Sequence, residues 1–289
     1  MTSNLREADL QEIRNLIESR SGIFFDSSRE RFFSNRVVEY MQERGLYTLP
    51  DLLRLVRSSN VEYDDMLQSM LTQETSFYRY PAVVDALVKK VLPELHARKF
   101  WENPRSLRIW SAGCSTGEEP YSIAIALAES LEFVDAWNIE ILATDISKRA
   151  LRFAERGVYP QSRLMNMTPG QMETYFARGR DGFSVKPRIR KMVSFETMNL
   201  AQAVYVGRFD CIFCMNVLMY FSAERRNSLI QRFYEYLEPG GYLLLGHAET
   251  VAKKSRVKFE PIVVGDCILN RKPAVEAGRR ESAVLEGIL

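Results

Sequence analysis

The chain has 289 residues, of which 46% are hydrophobic and 26% charged, with 39 Lys and Arg against 37 Asp and Glu. That length and apolar share suit two modest domains, each with its own core, and the near-neutral balance excludes a protein that coats nucleic acid or grips membranes through a polybasic surface. No run approaches the roughly 18 apolar residues of a membrane span. The opening MTSNLREADLQEIR does not read as a signal peptide. Four cysteines (Cys114, Cys211, Cys214, Cys267) without a paired framework point to a reducing cytoplasm, and two histidines (His96, His247) are too few for a His-rich metal site.

Residues 1–80 read as a helical domain. Leu5, Ile13, Leu16 and Ile17 mark one apolar stripe, and Phe32, Phe33, Val37, Val38 and Met41 a second at helical spacing. Gly45 after Arg44 is a C-terminal stop for that second helix. Further stripes cover Leu49–Val56 and Met66–Leu71, and Val83–Leu92 predicts a linker helix within 81–104. From about residue 105 short β-branched runs alternate with helical stretches. Leu107–Ser111, Ile139–Thr144, Phe209–Cys214 and Tyr242–Gly246 read as strands; Pro120–Leu131, Ser147–Glu155 and Ala223–Leu237 read as helices. Thr168, Pro169 and Gln171 spell a capped helix start, Phe183–Phe195 a small hairpin, Pro239-Gly240-Gly241 a turn, and Lys258–Leu269 a last hairpin. The alternation predicts an α/β fold over 105–272 with a mostly parallel, doubly wound sheet. A flexible tail is expected over 273–289.

In such a sheet ligands bind beyond the carboxyl ends of the strands, where the connections diverge. After the first strand comes Ala112-Gly113-Cys114-Ser115-Thr116-Gly117-Glu118-Glu119-Pro120. Gly113 and Gly117 allow close backbone approach and positive φ. The adjacent acids Glu118 and Glu119 suit a cationic or hydroxyl-rich ligand better than pyrophosphate. The second strand ends at Thr144-Asp145, the place of an acid that binds ribose hydroxyls. A ligand with a ribose, an ammonium and a sulfonium, S-adenosylmethionine, matches this set better than NAD does. The same residues also admit plainer readings. The glycines could form an ordinary strand–helix turn, Asp145 could cap the next helix, and Arg79 could be a surface ion-pair partner. Asn216 could be a turn residue and Tyr220 core. Cys211 and Cys214 lie three apart on one strand, so they face opposite sides and read as structural. His247 is expected to pack near the end of its strand and His96 to lie on the surface.

The run Trp110–Leu127 (WSAGCSTGEEPYSIAIAL) resembles the cofactor loop of the chemotaxis receptor glutamate O-methyltransferases, the CheR-type family. Leu71–Arg79 (LTQETSFYR), Ile141–Leu151 (ILATDISKRAL), Phe209–Phe221 (FDCIFCMNVLMYF) and Leu237–Thr250 (LEPGGYLLLGHAET) agree in order. The resemblance implies a small helical domain followed by a Rossmann-like class I methyltransferase domain at 105–272, with a small β-subdomain at about 177–196. It implies methyl transfer from S-adenosylmethionine, leaving S-adenosylhomocysteine, to glutamate side chains. Cofactor contacts would fall on Gln73, Thr75, Arg79, Glu118, Asp145, Asn199, Leu200, Met215 and Asn216, besides Gly113 and Gly117. Arg79 and Tyr220 would serve in catalysis, and no metal is implied. Gln73 stands where the family commonly has asparagine, and Met215 where it usually has arginine.

A glutamate carboxylate has a pKa of ~4.3 and is already an anionic nucleophile at neutral pH, so methyl transfer to it needs no general base. In-line placement can then supply ~7 kcal/mol or more of the barrier. Arg79 would steer the incoming carboxylate, and Tyr220 would orient it or contact the methyl group. The implied partner is the cytoplasmic helical bundle of a chemoreceptor. Arg29, Arg31, Arg36 and Arg44 could dock it or form a solvated face, since residues 1–80 carry 10 Lys and Arg against 13 Asp and Glu. The segment Ala177–Val193 is compact, so no dependence on a C-terminal tethering pentapeptide is expected. A cytoplasmic monomer that engages neither nucleic acid nor the membrane interior completes the expectation. A cofactor-binding module without turnover is the alternative; modification of a nucleic-acid base is disfavoured, because Met215-Asn216-Val217-Leu218 lacks the Asn/Asp-Pro-Pro-aromatic pattern of base-modifying relatives.

Overall fold

The computed structural model describes residues 7–71, 74–102, 105–202, 204, 207–252 and 256–274. Leu5, Gln73 and the tail beyond Ala274 lie outside them.

Four helices open the chain: α1 (Glu7–Ser21), α2 (Glu30–Glu43), α3 (Leu49–Ser58) and α4 (Asn60–Met70). Their apolar stripes meet in one core containing Ile13, Ile17, Phe33, Val37, Leu52, Val56 and Met66, each fully buried. Helix α2 stops where the sequence predicts. Gly45 takes φ +66°, its N–H bonds the Gln42 carbonyl at 3.1 Å, and the Leu46 N–H reaches back to Met41 at 2.8 Å. Thr48 and Ser59 cap α3 and α4 through their hydroxyls.

After a strap at 74–80 come α5 (Pro81–Ala86), one wide π turn (Leu87–Val91) and α6 (Leu92–Lys99). Pro93 has no N–H to complete the α ladder, and the chain widens just before it. Strand β1 (Arg105–Ala112) leads to α7 (Glu118–Ser130), β2 (Trp137–Asp145) and α8 (Lys148–Arg156). Next are β3 (Val158–Tyr159), α9 (Pro169–Tyr175), β4 (Phe176–Gly179), β5 (Gly182–Val185), α10 (Pro187–Arg190) and β6 (Val193–Thr197). The chain closes with β7 (Phe209–Cys214), α11 (Ala223–Tyr236), β8 (Leu237–Leu245), β9 (Glu260–Val264) and β10 (Cys267–Arg271). Helix α9 starts with the full reciprocal capping box of Thr168 and Gln171.

The main sheet has the order β6-β2-β1-β7-β8-β10-β9, parallel from β6 through β8 and antiparallel at β10 and β9. Its central strand β7 is buried along its whole length, which explains why FDCIFC carries no polar alternation. Cys211 belongs to the core on one face and Cys214 to the core on the other. The chain crosses from β1 to β2 on one side and returns to β7 on the other, so the switch point of the sheet lies at the carboxyl ends of β1, β2 and β7.

Four local expectations are corrected. The hairpin is not Phe183–Phe195 but β4–β5, which forms a separate antiparallel sheet with β3; Pro187 starts a helical turn, and Val193–Thr197 becomes the parallel edge strand beside β2. Val193 and Phe195 alternate toward the core, so their periodicity is that of a strand in the larger sheet. Pro239-Gly240-Gly241 is not a turn ahead of the strand but bulges within β8, which already begins at Leu237 and whose register against β7 shifts between Phe209 and Cys211. His96 is half-buried, stacked on Phe100 and Trp137 with centroids 5.0 and 5.5 Å away, and His247 is exposed just after β8.

One buried charge ties α6 to the sheet. Asp210 on β7 is 2% exposed and takes Lys99 Nζ at 2.9 Å, Arg98 Nη2 at 3.2 Å and the Arg108 backbone N–H at 3.0 Å. Removing it leaves Lys99, itself well buried, without its counter-charge. Asp210→Ala is expected to destabilise by about 3 kcal/mol, measured as a lower urea midpoint with an unchanged slope.

Candidate functional site

The glycine loop between β1 and α7 is built by backbone geometry that side chains resist. Gly113 and Gly117 take φ +89° and +91°, and Ser115 between them takes +50°. A Cβ on Gly113 would stand 2.4 Å from Val217 Cγ2, and one on Gly117 2.6 Å from Ala154 Cβ and 2.9 Å from the Tyr159 hydroxyl. Asp145, ending β2, holds the loop in place. One of its oxygens accepts the Ser115 N–H at 2.9 Å and the other the Ser147 N–H at 2.8 Å. Capping of α8 itself falls to the Ser147 hydroxyl, which accepts the Ala150 N–H at 3.0 Å. Burial raises the Asp145 carboxyl above its ordinary range, against the opposing pull of these backbone donors.

Beyond this loop lies a cavity of about 340 Å³, a size ordinary for small-molecule sites. Thr75, Arg79, Gly113, Asp145, Asn199, Leu200, Met215, Asn216 and Tyr220 all line it. Gln73 falls outside the described residues. Gly117 and Glu118 are not in the wall. Glu118 is fully buried behind it; the Thr116 hydroxyl donates to it at 2.7 Å, Arg163 Nη1 lies 3.6 Å away, and burial raises its pKa. Arg163 in turn donates to the Thr75 carbonyl, and the Arg163 carbonyl accepts the Phe77 N–H at 2.9 Å. Glu118 therefore braces the strap that carries Thr75 and Arg79.

The acid that faces the cavity is its neighbour, Glu119. Burial pushes its pKa up to about 7; the Ser111 hydroxyl, donating at 2.6 Å, opposes the rise, Glu249 adds to it and Arg79 opposes it. Residue type put both acids at the site, and the resemblance named Glu118, not Glu119, as the cofactor contact. Helical spacing supplies the signal in retrospect. Glu119, Ser122 and Ile123 are three and four apart, and all three line the cavity.

Two further residues were missed. Ser115 lines the cavity with a buried hydroxyl that has no hydrogen-bond partner. Tyr80 also lines it; its hydroxyl donates to Asn216 Oδ1 at 2.6 Å, and the Arg79 guanidinium lies 5.3 Å from its ring centre. Asn216 takes φ +60°, so the turn reading and the cavity reading hold together. The amide of Asn199 is occupied by protein, donating to the Arg20 carbonyl at 3.2 Å and accepting the Ala201 N–H at 2.9 Å.

The helical domain supplies one wall. Ser21 and Ile23 line the cavity, the Phe24 N–H donates to the Tyr220 carbonyl at 2.8 Å, and the Arg29 guanidinium lies 5.5 Å from the Tyr220 ring centre. Ile146 and Tyr220 pack against the helical core itself. Among the described residues no group of His, Cys, Asp and Glu is arranged to hold a metal, and no helix is long and apolar enough to cross a membrane.

Two half-buried carboxylates, Asp145 and Glu119, and an orphaned hydroxyl fit a ligand bearing positive charge and hydroxyls. Against that geometry the comparisons with known proteins are consistent. Residues 73–264 match the family described as CheR methyltransferase, SAM binding domain, and residues 8–71 the CheR methyltransferase, all-alpha domain. The chain is similar to a chemotaxis protein methyltransferase of Borreliella burgdorferi, 32% identical over 89% of this chain and 93% of that one. It is similar to chemotaxis protein methyltransferase 1 of Pseudomonas aeruginosa, 35% identical over 84% and 90%. A chemotaxis protein methyltransferase of Escherichia coli is 33% identical over 87% of each chain.

Glu119 has a measurable signature. Its carboxyl in the folded protein titrates above the unfolded value, so its contribution to stability is complete below the ordinary carboxylate range and is lost as pH rises through about 7. Relative to Glu119→Gln, the wild-type protein without ligand is expected to lose about 2–3 kcal/mol between about pH 5 and pH 8, read from urea midpoints at each pH.

Proposed function

Because the chain belongs to the CheR methyltransferase family, and is thus an S-adenosylmethionine-dependent methyltransferase of chemotaxis, we propose that its acceptors are glutamate carboxylates of chemoreceptor cytoplasmic domains and its products glutamate methyl esters. The observation that carries this reading is the pairing, in one cavity, of an acidic wall with Arg79 and Tyr220.

Asp145 would hold the ribose hydroxyls, Glu119 the ammonium, and the orphaned Ser115 hydroxyl a further polar atom of the donor. Thr75, Met215, Asn216, Leu200 and the backbone at Gly113 and Asn199 complete the wall, while Gly117 and Glu118 support it from behind. When bound, S-adenosylmethionine supplies an electrophilic methyl group. The chain's own residues then have a limited task. An acceptor glutamate arrives ionised, so the protein needs no base to remove a proton. It must bring an anion up to a wall that already carries carboxylates, and that repulsion has to be offset. Arg79 offers a fixed cation for this purpose, steering and orienting the acceptor, and Tyr220 orients the acceptor oxygen. Met215, replacing the family's usual arginine, makes Arg79 the more important. The reaction annihilates charge, so a cation that held the ionised ground state too tightly would slow it.

The acceptor-bearing helix would approach the helical domain, the chain would work as a cytoplasmic monomer, and the β3–β5–β4 sheet would not require a tethering peptide. The turn between β4 and β5 spans only Gly179 to Gly182, whose Cα atoms are direct partners.

Labelled adenosylmethionine with receptor cytoplasmic fragments is expected to give base-labile label, released as methanol. Cofactor binding without any ester in the fragments would instead support the non-catalytic alternative. Arg79→Ala and Tyr220→Phe are each expected to lower kcat about tenfold or more while changing adenosylhomocysteine affinity less. Wild type is expected to bind adenosylhomocysteine more tightly as pH rises through about 7, and Glu119→Gln should remove that dependence and weaken binding about tenfold at pH 8. Calorimetry with a free receptor-tail pentapeptide is expected to show no micromolar binding.

A further inference from the structure

The loop that carries Met215, Asn216 and Tyr220 is held by a residue outside the cavity wall. Glu249, in the turn after β8, is half-buried. One carboxylate oxygen accepts the Asn216 N–H at 2.9 Å and the Gly246 N–H at 3.0 Å; the other accepts the Met219 N–H at 3.2 Å. The Glu249 N–H closes its own turn on the Gly246 carbonyl at 2.8 Å. Gly246 makes the approach possible, because a Cβ there would stand 2.8 Å from the Glu249 oxygen and 2.9 Å from the Asn216 nitrogen.

We propose that Glu249 is a positioning residue for methyl transfer: its carboxylate clamps both ends of the Asn216–Met219 turn and thereby fixes Asn216 in its left-handed conformation and Tyr220 at the reacting centre. The proposal deepens the methyltransferase reading and rests on it for the reaction concerned. Three N–H groups converging on one carboxylate are strong, charge-assisted bonds. Asn216 has a second tether through the Tyr80 hydroxyl, whereas the clamp on Met219 immediately precedes Tyr220. Loss of the clamp therefore falls more heavily on Tyr220 than on the cofactor wall. Glutamine cannot replace it, since one oxygen becomes an amide donor aimed at another donor.

The test uses the full chain with 3-fluorotyrosine placed at position 220, in wild type and in Glu249→Gln, with Glu249→Asp as a second variant and thermal melts to show that each is folded. Wild type is expected to give one fluorine resonance that shifts when adenosylhomocysteine is added. In folded Glu249→Gln the resonance should broaden or move and lose that response; a spectrum identical to wild type overturns the proposal. With receptor fragments, Glu249→Gln should lower kcat about tenfold or more with adenosylhomocysteine affinity within about threefold of wild type, and adding Tyr220→Phe should cause little further loss. Wild-type turnover in Glu249→Gln, or fully multiplicative losses in the double variant, overturns it. If wild type binds cofactor yet esterifies no receptor fragment, the proposed function fails, and the fluorine spectra still decide the role of Glu249.

Discussion

The structure turns on a single half-buried carboxylate. Asp145 spans the gap between the glycine loop and the start of α8, giving one oxygen to Ser115 and one to Ser147. The loop it holds contains three residues of positive φ within five positions, and such a stretch keeps its shape only when its surroundings over-determine it. Parallel pairing of β1 with β2 brings Ala112 beside Thr144, so the loop and the carboxylate emerge together. The Gly113 and Cys114 N–H groups both bond the Thr144 carbonyl, at 2.8 and 2.9 Å. A carboxylate has four lone-pair positions, more than the backbone N–H groups of Ser115, Ile146 and Ser147 occupy, so Asp145 keeps capacity to accept a further hydrogen bond.

A second constraint is that the cavity is not the property of the sheet alone. The helical domain reaches over it from α1, contributing Ser21 and Ile23, and its core continues into Ile146 and Tyr220. Gly22 marks how close the two parts lie, since a Cβ there would stand 2.3 Å from the Ala201 side chain. Packing of this kind is rigid on the scale of a methyl group. It makes Tyr220 answer to three neighbours at once: the Phe24 amide, the Arg29 guanidinium and the turn clamped by Glu249. The cavity of this chain thus lies at the seam where an α-helical surface meets the sheet domain.

The electrostatics of the cavity follow from burial. Asp145 and Glu119 are both raised by desolvation, and a buried carboxylate lowers its cost most when a cation or hydroxyl donor arrives. Glu118 is buried more completely and meets Thr116 and Arg163 instead. Two adjacent residues of identical chemistry therefore do different things: one braces the strap beneath the site, the other faces the cavity.

Much of this was legible in the sequence because it is local. Periodicity located the four opening helices, the Gly45 stop and the Thr168 capping box, and the strand–helix alternation gave the doubly wound sheet and the edge at which the site lies. The spacing of Cys211 and Cys214 placed them on opposite faces. Motif resemblance named a cofactor and the residues to watch. What the sequence could not decide was long-range. Val193–Thr197 has the alternation of a hairpin arm, but pairing with β2 makes it an edge of the main sheet. Pro239-Gly240-Gly241 has the composition of a turn, yet sheet pairing on both sides turns it into a bulge. The choice between Glu118 and Glu119 depends on the rotation of α7 against β1, and Tyr80, Ser115 and Glu249 acquire meaning only beside partners up to 136 residues away. Local propensity and motif are written in neighbouring residues, whereas burial, register and the convergence of donors on one carboxylate exist only once distant segments have packed.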